Sequence, residues 1–577
     1  MKEFGAPRAS RVKVCPLTAV FRTSLGELVI KRDTLTRRSA IGGSIASLLS
    51  LIDQPIRRAE AQFVNAAGGK AGTDLIILDP SSPRFVGLTH GFNRRWSAPQ
   101  CNQILLPLTE AGAVEALDRA IDAGPGKFRI RGGGHCYEDF VFNVETQTLI
   151  DVSLLNEIGF DAQNGVYYAQ SGGSIWDLYR ELYWRFGLTL PAGSCYSVGL
   201  GGHICGGGYG VLSRQFGLTV DWLTAVRVAT VNQNHRPLFN RATKEDQQPL
   251  RDLWWAHTGG GGGNFGLITR YEFSRLPTAP RRAEIITDAW SWSSINNAGD
   301  LARIIEGFEQ LSGAIPNTAF AVLGLGHRAA RQIGLAVQFT YDGSAGSANF
   351  AAEVADWVTR CSLGDAESAK PQVCTQPLFI HSPLPYQDLH WFESVQTGDS
   401  SGPNRKGKHK SAYMRKGFSH DQIKTIYKFL TMDVPQAIDM SQSLLQIDSY
   451  GGQINVIDPR ATAVWQRSSI LKLQYQTYWN DQDERPSANG DAHIDWIKRF
   501  YEEMYAASGG IPDPLCDPSN NVDGCYINYP DVDLNDHGGL TKALSLYYGG
   551  NLSRLMHAKR TWDPHNYFQN TQSIPPG

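Results

Sequence analysis

An α+β chain of two domains is expected here, on three grounds. Strand-like and helix-like patterns alternate from Gln103 to Phe186, and glycine gathers in three clusters between Gly132 and Gly266. Beyond about Pro277 the clusters stop and longer amphipathic stretches begin, with an antiparallel sheet expected among them. At about 100–200 residues per folding unit, 577 residues allow two to four units.

Gln103 to Pro107 reads as a short strand, and Glu110 to Ala123 carries apolar residues at the 3.6-residue spacing of a helix. Phe128 to Ile130 is a strand that runs into Arg131-Gly132-Gly133-Gly134-His135. Gln147 to Val152 and Val166 to Gln170 are further strands, and Ser174 caps a helix reaching Phe186, since its hydroxyl can accept an orphan N–H of the first turn. Between the second cluster, Gly199 to Gly210, and the third, Gly259 to Gly266, Leu218 to Val231 reads as turn plus strand. In the second half Leu301 to Leu311 and Asn349 to Val358 are amphipathic, Gly334 to Tyr341 is β-rich, and Ser400 to Lys410 reads as an exposed loop. Leu552 to Lys559 is helical, ahead of Asp563-Pro564. No internal repeat is visible.

Composition narrows the function. Lys+Arg 54 against Asp+Glu 56 leaves a net charge of -2, so the sequence offers no electrostatic footprint for nucleic acid or an anionic membrane. Hydrophobic residues at 42% and charged residues at 19% exclude a disordered chain. With 14 Trp, 22 Tyr and 24 Phe there is aromatic surface enough to line a substrate groove.

The N-terminus reads as an address. Thr36-Arg37-Arg38-Ser39-Ala40-Ile41 sets a twin arginine before an apolar run, Ala40 to Leu51, and Ala59-Glu60-Ala61 is a small-x-small cleavage site. A run of about 12 residues is too short for a hydrocarbon core of ~30 Å, so a signal is expected and not an anchor. Export by the twin-arginine (Tat) machinery, to the periplasm or outside, moves proteins already folded, which suits a cofactor inserted in the cytoplasm. No later segment is long enough to span a membrane.

Cys15 precedes the signal. The other eight cysteines are Cys101, Cys136, Cys195, Cys205, Cys361, Cys374, Cys516 and Cys525, and export permits disulfides among them. Cys361 with Cys374, and Cys516 with Cys525, are near enough in sequence for local bridges, although spacing does not fix connectivity. With no C-x-x-C and no H-E-x-x-H, no metal site is expected.

Three glycine-rich segments so close together suggest a dinucleotide diphosphate held by backbone N–H groups, because glycine lets the main chain approach without a Cβ clash. Gly261-x-Gly263-x-x-Gly266 matches the Rossmann fingerprint but not its context: Trp254-Trp255-Ala256-His257 precedes it where a strand is needed, and strand-like Leu267 to Phe273 follows where a helix is needed.

A second pattern is more specific. Arg131-Gly132-Gly133-Gly134-His135, Ala192-Gly193-Ser194-Cys195-Tyr196-Ser197-Val198-Gly199-Leu200-Gly201-Gly202-His203 and Gly206-Gly207-Gly208-Tyr209-Gly210 resemble the flavin-binding motifs of the berberine bridge enzyme-like oxidases, of the vanillyl-alcohol-oxidase type. Tyr526-Ile527-Asn528-Tyr529-Pro530-Asp531, Tyr547-Tyr548-Gly549-Gly550-Asn551, Asp563-Pro564 and Gln572-Ser573-Ile574 resemble that family's C-terminal signature. The resemblance runs from about Asn93 to Pro576. Together with the N-terminal signal pattern, which marks a signal region 1–61 and a linker 62–92, it implies an FAD-binding domain 93–278, a substrate domain 279–522, and a segment 523–577 that returns to the FAD-binding domain.

It also implies a bicovalent FAD, with His135 bonded to the flavin 8α-methyl and Cys195 to its 6 position. Imidazole and thiolate are the side chains nucleophilic enough for such bonds. Two tethers would raise the flavin's oxidising power and allow an open cleft without cofactor loss. Arg131, Gly132, Gly133, Gly134, Val198, Gly199, Gly201, Gly202, His203, Gly206, Gly207, Tyr209, Gly210 and Asn551 are the further residues expected at the cofactor. Cys205 and Cys136 do not match the tether position and are expected to pack.

For an FAD-dependent alcohol oxidation, hydride leaves carbon for flavin N5 while a base takes the hydroxyl proton. The family commonly uses a tyrosine, for which Tyr529 and Tyr526 stand ahead of Tyr137 and Tyr209. Leu444 to Gly452 reads as a strand facing the flavin, and period-2 alternation sets Gln446 and Asp448 on one face. Asp448 could orient a tyrosine base or a sugar hydroxyl. In the resembling family a valine three positions after the tethering cysteine keeps an oxygen pocket open, and here that position is Val198, which favours O2 as acceptor and hydrogen peroxide as product. The expected substrate is an oligosaccharide, favoured by export. Alternatives are a glycosylated or aromatic secondary metabolite, a dehydrogenase using another acceptor, and a secreted flavin-carrying protein without turnover.

Overall fold

The computed structural model describes residues 21–23, 26–28, 74–341, 386–434, 438–479 and 488–577. The twin-arginine segment, the cleavage site, Cys361, Cys374 and the stretch Asn349 to Val358 lie outside the described residues. β1 (Phe21–Thr23) and β2 (Gly26–Leu28) pair antiparallel; every later element belongs to a single unit, Ala67–Gly577.

Among its described residues, that unit holds three sheets. β3 (Leu75–Leu78), β4 (Gln103–Pro107), β5 (Phe128–Arg131) and β6 (Thr148–Asp151) form the first, in the order β3-β4-β6-β5, parallel except for β3. The crossover from β4 to β5 is the helix Glu110–Ile121, capped by Thr109, whose side chain accepts from Gly112 N. Its apolar stripe, Ala113, Ala116, Leu117 and Ala120, is fully buried against Leu105, Phe128 and Ile150.

β7 (Ile158–Asp161), β8 (Val166–Gln170), β9 (Ala225–Val231), β10 (Pro237–Thr243) and β11 (Leu267–Phe273) form an antiparallel sheet in the order β10-β9-β11-β8-β7. The helix Ile175–Phe186 starts at Ser174 in a reciprocal cap with Asp177 and stops at Gly187, φ 66°.

The third sheet has seven antiparallel strands: β12 (Arg282–Ser291), β13 (Ala319–Gly326), β14 (Gln332–Tyr341), β15 (Tyr386–His390), β16 (Lys406–Met414), β17 (Leu444–Ser449) and β18 (Leu471–Trp479), ordered β15-β12-β14-β13-β17-β18-β16. One face is covered by the helices Ala298–Ala314, His420–Thr431 and Ala488–Met504, where Phe500 stacks on Phe429 and meets Tyr475 of β18 edge-on. Because strand side chains alternate, Lys472, Gln474, Gln476 and Tyr478 of β18 face the other way.

The C-terminal segment packs back on the first half. The Tyr548 hydroxyl donates to Gly260 O at 2.8 Å, Lys559 Nζ to Asn264 O at 2.7 Å, and Phe568 meets Phe128 edge-on. No helix among the described residues is long and apolar enough to cross a membrane.

Two expectations are corrected. Ser400 to Lys410 is not an exposed loop throughout: from Lys406 it is β16, paired in register with β18, and Lys408 and Lys410 are each 2% exposed. Glu138, Asp531 and Asp533, from segments distant in sequence, neutralise the two ammonium groups. Cys516 and Cys525 are both free. Cys516 is exposed, whereas Cys525 is buried beside the Tyr501 hydroxyl, 3.4 Å from its Sγ, so the two thiols point into different surroundings.

Candidate active site

Glycine-bearing loops and the uncovered face of the seven-stranded sheet enclose a cavity of about 550 Å³. The loop from Arg131 leaves the end of β5 with Arg131 Nη1 on Asp151 Oδ2 at 2.6 Å. It then crosses the 197–199 loop backbone on backbone. A Cβ on Gly133 would stand 2.3 Å from Gly199 N, and one on Gly199 would stand 2.2 Å from Gly133 N, so neither position admits a side chain.

This crossing brings His135 and Cys195 to one pair of hydroxyls. His135 Nε2 is 2.9 Å from Ser197 Oγ, Ser197 donates to Ser401 Oγ at 3.0 Å, and Ser401 Oγ is 3.4 Å from Cys195 Sγ. Phe92 stacks on the imidazole with centroids 4.8 Å apart. Burial, helped by the Arg131 charge, pulls His135 down to about 4, so the ring is neutral at physiological pH and keeps a lone pair. Burial pushes the Cys195 thiol up.

The opposite wall is polar. Gln446 Nε2 donates to Asp448 Oδ1 at 2.6 Å, and Lys472 Nζ lies 3.2 Å from Asp448 Oδ2. Gln476 Nε2 donates to Gln446 Oε1 at 3.1 Å, and the Tyr478 hydroxyl to Gln476 Oε1 at 3.0 Å. Lys472 is fully buried, with its Nζ 4.2, 4.6 and 5.3 Å from the ring centres of Tyr529, Tyr209 and Tyr526.

The four tyrosines differ in what their hydroxyls do. Tyr209 donates to Ser449 O at 3.0 Å. Tyr526 accepts from Asn528 Nδ2 at 3.0 Å. Tyr137, stacked on His409 at 3.7 Å, accepts from Gln474 Nε2 at 3.2 Å. Tyr529 lines the cavity, half-buried, and its hydroxyl has no partner among the described residues. Burial raises all four; for Tyr526 the Lys472 charge opposes that, whereas for Tyr529 the Asp448 carboxylate adds to it.

Most residues singled out in the sequence line this cavity, including Gly132, Gly134, Val198, Gly201, Gly202, Gly210 and His203, whose Nε2 accepts from Gly193 N at 3.3 Å. Gly206, Gly207 and Asn551 are not in its lining. A Cβ on Gly206 would stand 1.9 Å from Asn528 Oδ1, Gly207 packs toward Val464, and Asn551 Nδ2 donates to Pro459 O at 2.7 Å; all three hold backbone segments together. Cys205 is buried, and its thiol donates to Gly202 O at 3.5 Å. The third cluster lines the cavity too, but behind the helix Leu250–Ala256 and ahead of β11, which is not Rossmann geometry. Sequence reasoning missed Lys472, Gln474, Gln476, Tyr478 and Ser401. The first four alternate strictly with Leu471, Leu473, Tyr475 and Thr477, a legible period-2 signal; Ser401 carries none.

This fold and this site define a two-domain flavoprotein with a vanillyl-alcohol-oxidase-type FAD-binding domain. Residues 103–234 match the FAD binding domain family, and residues 525–575 the family "Berberine and berberine like". The chain is 39% identical to hexose oxidase of Chondrus crispus over 86% of its length and 94% of the relative's, and 35% identical to aclacinomycin-N/aclacinomycin-A oxidase of Streptomyces galilaeus over 95% and 98%. Among solved structures it resembles CrmK, a flavoenzyme of caerulomycin biosynthesis (TM-score 0.78, 32% identity, 88% of this chain and 100% of that one), and the glycopeptide hexose oxidase DBV29 complexed with teicoplanin (TM-score 0.76, 31% identity, 87% and 99%). The chain belongs to the berberine bridge enzyme-like FAD-linked oxidases and is an oxidoreductase acting on CH–OH groups.

Its cavity fits FAD. A Cβ on Gly202 would meet nothing within 4 Å, one on Gly132 nothing nearer than 3.9 Å, and one on Gly262 nothing nearer than 3.7 Å. These glycines therefore face open space, which side chains would occupy.

Proposed function

We propose that the enzyme oxidises the reducing-end hydroxyl of an oligosaccharide or hexose, with O2 as acceptor, H2O2 as product, and FAD tethered to both His135 and Cys195. The observation that carries the substrate class is the row of amides, Gln446, Gln474 and Gln476, beside Asp448 on the cavity wall. A primary amide both donates and accepts, as a sugar hydroxyl does, and the row offers several such contacts in fixed register. The similarity to a hexose oxidase supports the same reading.

Bound FAD supplies the hydride acceptor. The chain's own residues handle the proton: Tyr529, whose hydroxyl no other described side chain holds, is in its phenolate form the base that receives the proton of the substrate alcohol. Asp448, held by Gln446 and Lys472, orients the sugar, and the Lys472 ammonium offsets negative charge gathering on the tyrosine cluster. Val198 in the cavity lining supports O2 as acceptor.

A second reading, a sugar carried on an aromatic aglycone, draws on Trp391, Phe320 and Tyr478, which line the same cavity, and on relatives named for aclacinomycin and a glycopeptide. The twin arginine at Arg37-Arg38 supports export. The test is peroxide release over a panel of hexoses, oligosaccharides and glycosylated aromatics. Turnover with free sugars is expected; turnover with glycosylated aromatics alone would select the second reading, and reduced enzyme that ignores O2 in stopped-flow mixing would reject the oxidase assignment.

A further inference from the structure

His135 and Cys195, on separate loops, are joined through two hydroxyls of the chain itself. Ser197 donates to Ser401 Oγ at 3.0 Å. That use of the Ser197 hydrogen leaves its lone pairs toward His135 Nε2, 2.9 Å away, and leaves the Ser401 hydrogen free for Cys195 Sγ, 3.4 Å away. The donors then run in one direction, from imidazole to sulfur.

Ser401 is fixed by more than this line. Its Oγ accepts from Ser197 N at 3.1 Å, and its own N–H donates to Asp399 Oδ1 at 2.9 Å, which also accepts from Tyr196 N at 3.1 Å. Next to it, Ser400 N donates to Ser194 O at 2.9 Å and the Ser194 and Ser400 hydroxyls are 2.9 Å apart. The 399–401 loop, which precedes β16, is thus zipped along the whole Ser194–Ser197 segment. Both hydroxyls reach the sulfur, Ser401 Oγ at 3.4 Å and Ser197 Oγ at 3.9 Å, so Ser401 is the nearer donor and Ser197 the link to His135. Catalysis as proposed has no use for either hydroxyl.

We propose that Ser197 and Ser401 are positioning residues for flavin attachment, their hydroxyls spacing the imidazole and the sulfur and presenting a hydrogen-bond donor that stabilises the Cys195 thiolate. This rests on the bicovalent reading above. A C–S bond formed at an aromatic C–H releases two protons, one from the thiol and one from the carbon, and two electrons; O2 takes all four as hydrogen peroxide. A donor to sulfur eases the first loss, since burial disfavours the anion.

The test is the fraction of the His135 and Cys195 tryptic peptides that carries the flavin mass, in wild type, Ser401→Ala and Ser401→Thr, each purified as holoenzyme. Ser401→Ala is expected to keep the His135 linkage and to lower Cys195 occupancy at least roughly tenfold, the effect of one hydrogen bond to a charged group. Ser401→Thr, which retains the hydroxyl, is expected to restore it. Wild-type occupancy at Cys195 in Ser401→Ala would overturn the proposal, as would equal loss in the Thr variant. A wild-type enzyme with neither peptide modified would instead reject the bicovalent reading itself.

Discussion

Lys472 Nζ stands 4.2 Å above the Tyr529 ring while bonded to Asp448 at 3.2 Å, so one buried cation serves both the carboxylate and the tyrosine that face the substrate space. Neighbours on β17 and β18, Asp448 and Lys472 are directly opposite in register, which fixes the pair by sheet pairing instead of by loop placement.

Removing the cation leaves Asp448 charged and buried without its partner. Lys472→Met is expected to destabilise the enzyme by about 3–5 kcal/mol, the usual result of breaking a buried pair from one side. Denaturant unfolding checks this; a change under about 1 kcal/mol would show that water reaches Asp448.

Tyr529→Phe is expected to slow anaerobic flavin reduction roughly 10²–10⁴-fold while leaving sugar affinity near wild type. An unchanged rate moves the base to Tyr526, whose hydroxyl already holds the Asn528 amide.

The pH profile follows from the sign of the Tyr529 shift. Burial and Asp448 both raise it, so the resting hydroxyl is protonated across neutral pH and the base form gains population as pH rises. The reductive rate should climb through pH 7–9 without a plateau, and Asp448→Asn, which removes a raising charge, should move the limb to lower pH. A rate already level at pH 6, or a limb that Asp448→Asn moves upward, contradicts the assignment.

Two glycine substitutions should fail differently. In Gly133→Ala the new Cβ would stand 2.3 Å from Gly199 N, so the loop crossing is lost and soluble yield should collapse. In Gly202→Ala the Cβ meets nothing within 4 Å, so the chain should fold but bind less FAD, read as the ratio of flavin to protein absorbance. Normal flavin content in Gly202→Ala would place FAD elsewhere in the cavity.

Much of this architecture is legible in the sequence because local rules agree with it. Ser174 with Asp177 three residues on marks a helix start, and Glu110 to Ile121 shows its buried stripe as Ala113, Ala116, Leu117 and Ala120. What local rules cannot show is compensation from a distance. Lys408 and Lys410 read as solvated because their partners, Glu138, Asp531 and Asp533, lie about 270 and 121–125 residues away in sequence. Gln446 and Asp448 were within reach of alternation, and Lys472 with Gln474 and Gln476 was equally so, but their meeting depends on the β17–β18 register. Gly206 and Asn551 sit in flavin-like motifs yet serve packing, since a motif is kept whole by its backbone contacts as well as by its ligand.

Attachment of the flavin through both His135 and Cys195, as proposed above, underlies the functional reading. Tryptic peptide mass spectrometry of the native holoenzyme is the direct measurement: the peptides holding His135 and Cys195 should appear joined through one flavin, with neither present in unmodified form above a trace. Both peptides recovered at their bare masses, with all the flavin released on denaturation, would contradict it.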